Sequence, residues 1–289
     1  MCNLICFIHR DANILASSHE CKFLFRRPAV SYETILYSVA DGVAEIRLNR
    51  PHRLNAVTQQ LYDELNDALG AAQDDRNVRV VLLTGEGRAF CVGADLKEHK
   101  AGRSAFDRRQ YLQGEQIVCK RLMTLKQPVV AAVQGYALGA GAELAIASDF
   151  LLMSESAQIG LPEISIGNFL GGGVTVLLPR LVGLAKAREL VFLGERIGGQ
   201  EAVRIGLASR WFPDAGFPDD ARAFAKRIAT KAPFSMQLAK EQLNFAAEST
   251  LDAALRAELE GMVFVGTTRD WQEGVDAFAE KRTPVFRGE

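Results

Sequence analysis

Two runs of this sequence, Val78 to Thr84 and Val129 to Val133, are apolar at nearly every consecutive position. A strand built from such a run buries both of its faces. It needs cover above and below, which places the chain among α/β architectures. Around these runs the order is strand, strand, helix, strand. Thr34 to Ala40 and Val43 to Leu48 read as strands joined at Asp41-Gly42, a hairpin signal because both turn positions take positive φ. A helix starts near Thr58, an N-cap residue, with Leu61, Leu65, Ala68, Leu69 and Ala72 on one face. That order suggests a unit able to repeat.

Ser104 to Leu125 has the pattern of a long helix, Gly141 to Ala147 that of a short one, and Phe150 to Met153 and Gln158 to Ile159 are strand-like. Beyond Pro179 helical periods dominate, clearest in Pro233 to Ala247, Leu251 to Val265 and Thr268 to Glu280. The reading is α/β for the first two thirds and all-α at the end. Leu251, Leu255, Leu259, Met262, Val263 and Phe264 give the tail more apolar surface than one small lobe needs, which favours contact between subunits.

With 289 residues, 48% of them hydrophobic, the chain can bury a large core. Its 34 basic and 35 acidic residues leave a formal net charge of -1, which argues against a nucleic-acid groove or a membrane-surface face. No run of roughly 18 apolar residues suggests a membrane span. Cys2, Cys6, Cys21, Cys91 and Cys119 form no metal or redox spacing, so free thiols in a reducing, cytoplasmic compartment are expected. His9, His19, His52 and His99 are scattered, and no metal is expected. Residues 1–32 read as a poorly ordered N-terminal extension. Arg26-Arg27 hints at a mitochondrial transit segment, against which Asp11 and Glu20 argue.

Chemistry concentrates in Gly139-Ala140-Gly141-Ala142-Glu143 and, twenty residues later (163 − 143), Leu161-Pro162-Glu163. The first follows a buried strand and opens a helix, so its N–H groups are unpaired donors able to hold an oxyanion. The loop Gly87 to Lys97 has the look of the second half of that site, with the Ala94 amide converging on Ala140. Glu143 and Glu163 both lie in apolar settings. Around one water, one carboxyl takes a proton as the other gives one.

Four motifs in order carry a resemblance: Leu48-Asn49-Arg50-Pro51-His52-Arg53-Leu54-Asn55-Ala56, Ala89 to Lys97, Gly135 to Ala145, and Pro162-Glu163-Ile164. Together with the close Ala277 to Phe286, they resemble the enoyl-CoA hydratase/isomerase (crotonase) family over roughly residues 33 to 289. The resemblance implies a crotonase-like spiral of ββα repeats over 33–225 and a helical trimerisation lobe over 226–289. It implies a homo-oligomer, a trimer or dimer of trimers. It also implies an acyl-CoA thioester held by the amides of Ala94 and Ala140, with Glu143 and Glu163 activating water. Arg53, Leu54, Ala94, Asp95, Leu96 and Lys97 would line the CoA arm. Phe278 would also bind substrate or CoA, and Lys281 would reach the CoA phosphate of a neighbouring subunit. No cofactor beyond the substrate's own coenzyme A is implied.

The chain departs from the family pattern in two places. The common triple glycine is Gly139-Ala140-Gly141, although Ala140 keeps its N–H. After Glu163, Leu170 to Leu178 carries Val176-Leu177 in place of a Gln-Arg pair, and Asn168-Phe169 is placed to reshape the acyl pocket. The glutamate pair favours a hydratase acting on trans-2-enoyl-CoA. Its rivals are a double-bond isomerase, a hydratase-lyase on branched or aromatic acyl-CoA, and a non-catalytic or RNA-binding crotonase-like protein.

Overall fold

The computed structural model describes residues 31–97, 104–246 and 248–289, and within it Tyr32–Glu289 is one compact unit. Cys2, Cys6, Cys21, His9, His19, His99, the Arg26-Arg27 pair and the extension up to residue 30 lie outside the described residues.

Strands β1 (Ile35–Ala40) and β2 (Val43–Leu48) form the expected antiparallel hairpin, with Asp41 at φ 51° and Gly42 at φ 78°. Helix α1 (Gln59–Asp74) follows, capped by the Thr58 side chain, which accepts from the Leu61 N–H at 3.2 Å. Next come β3 (Val80–Gly85) and the long helix α2 (Ala105–Thr124). Ser104 and Asp107 close a reciprocal capping box at the start of α2. The chain continues through β4 (Val129–Val133), β5 (Tyr136–Leu138), α3 (Ala140–Ile146), β6 (Phe150–Ser154) and β7 (Gln158–Gly160).

These strands divide between two sheets. Strand β4 pairs in parallel between β3 and β6, while β5 pairs in parallel with β7. The β4–β5 and β6–β7 passages each give one strand to the large sheet and one to the small sheet, whereas β1, β2 and β3 all join the large one. The apolar runs that most constrained the sequence reading, β3 and β4, lie inside the large sheet and are buried on both faces.

Beyond Pro179 the structure adds two elements too short for periodicity to reveal. Strand β8 (Arg196–Gly198) pairs antiparallel with β7, and β9 (Arg210–Phe212) completes the six-stranded sheet beside β6. They are interleaved with α4 (Val174–Val182), α5 (Leu184–Leu193), α6 (Gly199–Arg204) and α7 (Phe217–Ala229). Phe217, Ala221 and Ala225 of α7 pack into the core, so the expected junction at 225/226 falls within this helix.

Three helices close the chain: α8 (Pro233–Ala246), α9 (Leu251–Val265) and α10 (Arg269–Glu280). Lys240 pins α8 to the core. Its ammonium donates to Asp149 at 2.6 Å and to the carbonyls of Leu122 and Gln127, and Asp149 accepts the Val129 N–H at 2.7 Å. In α9, by contrast, no residue is buried, and Met262 is 75% exposed. A hollow of about 500 Å³ among α8, α9 and α10 is lined by Leu238, Ala239, Met262, Val265 and Trp271. No described helix is long and apolar enough to cross a membrane.

Candidate active site

The small sheet builds the site. Cys91 donates its N–H to Tyr136 and accepts from Leu138, stitching the Cys91–Asp95 segment to β5. On its other side Val92 donates to Leu54, Val57 donates to Gly93, and Asp95 donates to Val57. Gly93, at φ 95°, makes this switch of direction possible. Because N–H groups alternate along an extended chain, the Ala94 amide faces away from Val57, on the side where β5 leads into α3. The approach is close: a Cβ on Gly93 would stand 2.9 Å from the Leu138 carbonyl and 3.7 Å from the Ala140 nitrogen. As the first residue of α3, Ala140 has an N–H with no acceptor inside the helix.

The glycines flanking Ala140 are obligatory for different reasons. Gly139 has φ 54° and ψ −127°, a conformation open to glycine almost alone. A Cβ on Gly141 would come within 2.2 Å of the Cys91 carbonyl oxygen. Ala140 itself is under neither constraint, which explains why the departure from a triple glycine falls there.

Glu143 lies in the first turn of α3 and is 1% exposed. Both of its carboxylate oxygens accept main-chain N–H groups, from Gly171 at 2.9 Å and Gly172 at 2.8 Å. Each such bond to a charged group contributes about 1.5–3 kcal/mol. The parallel pairing of Leu138 with Gly160 carries the next loop alongside, and Gly139 donates to the Gly160 carbonyl at 3.1 Å. That loop delivers Glu163, 6% exposed, whose Oε1 would stand 3.1 Å from a Cβ placed on Gly139. Its Oε2 is buried with no hydrogen-bond partner among the described residues. Burial, with the Glu143 charge adding to it, pushes the Glu163 carboxyl up to about 7. Glu143, Glu163 and the Ala94 and Ala140 amides are thus carried by segments that pack against one another around Gly139.

A carboxylate held by N–H donors, a second carboxyl that keeps a proton near neutral pH, and two convergent amides suit addition or removal of a proton beside a thioester carbonyl. The enoyl-CoA hydratase/isomerase family model matches residues 38–289. The chain belongs to that family. A probable enoyl-CoA hydratase of Mycobacterium tuberculosis is 37% identical over 257 residues, covering 89% of this chain and 99% of its own. The 1,2-epoxyphenylacetyl-CoA isomerase of Escherichia coli is 35% identical over 259 residues, with coverage of 89% and 99%. The crystal structure of an enoyl-CoA hydratase from Bacillus anthracis superposes with a TM-score of 0.86 at 38% identity, over 89% of this chain and 100% of that one.

Within this crotonase frame, the other expected residues fall into two groups. Asp95 is turned inward: Arg50 reaches it at 3.1 Å, and the Lys97 N–H donates to it at 3.2 Å. Partial burial works against its ionisation, but these hydrogen bonds outweigh it and hold the carboxyl below its usual range. Leu96 and Lys97 are exposed at the rim, Arg53 is exposed, and Leu54 takes a left-handed turn at φ 51°. Phe278, 88% exposed, and Lys281 lie at the end of α10. No hydrogen bond or ion pair among the described residues joins either to the Ala94–Lys97 loop.

Several contributors escaped the sequence reading. The fully buried Asn55 accepts from the Arg50 N–H at 2.8 Å and donates to the carbonyls of Glu86 and Ala89, locking the first motif to the second. Gly171 and Gly172 form the Glu143 cradle. Glu115 of α2, 7% exposed, lies against the Glu143 cradle: a Cβ on Gly171, whose N–H donates to Glu143, would stand 2.7 Å from Glu115 Oε2. Its signal was present in the sequence, since Tyr111, Glu115, Val118, Cys119 and Leu122 mark the buried stripe of α2 and one of them is an acid.

Proposed function

We propose that this protein is an enoyl-CoA hydratase, adding water reversibly across the 2,3 double bond of a trans-2-enoyl-CoA to give a 3-hydroxyacyl-CoA. The observation that carries the reading is the unlike pair of buried glutamates beside two free amides. The Ala94 and Ala140 N–H groups bind the thioester oxygen and tighten on it as it gains enolate charge. Glu143, whose two oxygens are oriented by the Gly171 and Gly172 N–H groups, accepts a proton from water as the water oxygen attacks C3. Glu163, whose carboxyl keeps its proton up to about 7, gives a proton to C2. The reaction needs no metal or redox cofactor, and coenzyme A arrives as part of the substrate.

Arg53, Leu54, Leu96 and Lys97 are assigned to the CoA arm, with Asp95 holding their loop through Arg50. Phe278 and Lys281 serve the CoA of a neighbouring subunit. That assignment requires a homo-oligomer, a trimer or a dimer of trimers, and the uncovered apolar surface of α9 supports one. Buried free thiols at Cys91 and Cys119 favour a reducing, cytoplasmic setting.

The test is product analysis. A trans-2-enoyl-CoA incubated with the protein should gain the mass of one water and yield the 3-hydroxyacyl-CoA. A product of unchanged mass with a shifted double bond would replace hydration with isomerisation.

A further inference from the structure

Two carboxyl groups in hydrogen-bond contact away from water cannot both be ionised without strong repulsion, so such a pair shares a proton. Glu115 and Glu143 form such a pair. Geometry decides which one keeps it. Glu143 accepts main-chain N–H groups on both oxygens, so both are already engaged as acceptors. Among the described residues no main-chain N–H donates to Glu115. Its partners are the Tyr62 hydroxyl and Glu143 itself. Its carboxyl is wedged against the cradle, since a Cβ on Gly171 would stand 2.7 Å from Glu115 Oε2.

We propose that Glu115 is a positioning residue of the hydratase site, a neutral carboxylic acid that donates its O–H to Glu143 and leaves that carboxylate one open acceptor position for the attacking water. The proposal rests on the hydratase reading above. A carboxylate offers about four acceptor positions. The Gly171 and Gly172 amides take two and Glu115 takes a third, so water has one place to bind. Tyr62 completes the chain from behind. It is 1% exposed, its ring is set edge-on against Tyr111 at 6.0 Å, and it lies on the Glu115 side of that pair. Order therefore runs from Tyr62 through Glu115 to Glu143 and ends at the water.

The groups facing Glu115 are consistent with a retained proton. They are Tyr62 from α1, Cys119 on its own helix, Glu143 from α3, Glu163 from the loop after β7, and Cys91 behind the amide loop. Burial, reinforced by the hydrogen bond and charge of Glu143, pushes the Glu115 carboxyl up to about 10.

Two variants of the full chain test this. Glu115→Gln keeps a neutral donor for Glu143 and an acceptor for Tyr62, while Glu115→Leu keeps neither. The glutamine variant should retain kcat to within about threefold, and the fall in activity near pH 7 should stay where it is, because one neutral group replaces another. The leucine variant should lose about 10- to 100-fold in kcat with KM nearly unchanged. Without any substrate, the infrared difference spectrum of wild type minus Glu115→Gln near neutral pH should contain a protonated-carboxyl C=O band. An active wild type without that band, a leucine variant as fast as wild type, or a glutamine variant as slow as leucine would overturn the proposal alone. A folded wild type inert toward every enoyl-CoA would overturn the hydratase reading itself.

Discussion

Glu143 and Glu163 are buried to almost the same degree, and their surroundings prepare their carboxyls for opposite work. Around Glu143 the chain supplies two N–H donors from the Gly171-Gly172 turn. Around Glu163 it supplies none to Oε2, and desolvation is left to push the proton affinity up to about 7. Burial alone would have made the two groups alike. The placement of main-chain donors makes one a proton acceptor and the other a proton store.

The comparison breaks most completely if the acceptor is removed. Glu143→Gln should lower kcat by about 10²–10⁴ with little change in KM, measured on a short enoyl-CoA. Ala140→Pro comes next, because proline suits the first helical position but has no N–H to give. Its turnover should fall by roughly 10²–10³, while Ala140→Gly, which keeps the amide, should stay near wild type. Gly172→Ala attacks the cradle, since its Cβ would meet Cys119 Sγ and Glu143 Cβ, each at 2.8 Å. Loosening one charged hydrogen bond should lower kcat by about tenfold or more.

The smallest effect is on stability. The folded-state affinity of Glu163 lies near 7, above its ordinary 4.5. Its stabilising contribution is therefore full below about pH 4.5 and is lost as pH rises through 7. Thermal melting of Glu163→Gln should accordingly exceed wild type by a few degrees above neutral pH and match it in acid.

Much of this pocket was legible because its parts depend on local chemistry. Gly139 and Gly141 are fixed by a positive φ and a carbonyl 2.2 Å from where a Cβ would lie, and both constraints leave glycine in the sequence. The Asp41-Gly42 turn and the doubly buried β3 and β4 were readable for similar reasons. Other parts depend on the packing of distant segments. The Gly171 and Gly172 amides approach Glu143 across 28 and 29 residues, and nothing in a glycine run says which side chain it will serve. Strands β8 and β9, three residues each, owe their existence to the neighbours they pair with. Glu115 was overlooked because an acid on an apolar stripe reads as a flaw in the stripe until its partner is seen.

The most direct test of the division between acceptor and store is the pH dependence of kcat/KM, followed by loss of the conjugated-thioester absorbance of crotonyl-CoA. Hydration takes up no net proton, so both directions must share one profile, and the glutamate pair must hold one proton to act. The account predicts that kcat/KM for hydration and for the reverse dehydration falls together as pH rises through about 7. A rate constant that stays level from below pH 7 well into the alkaline range would contradict it.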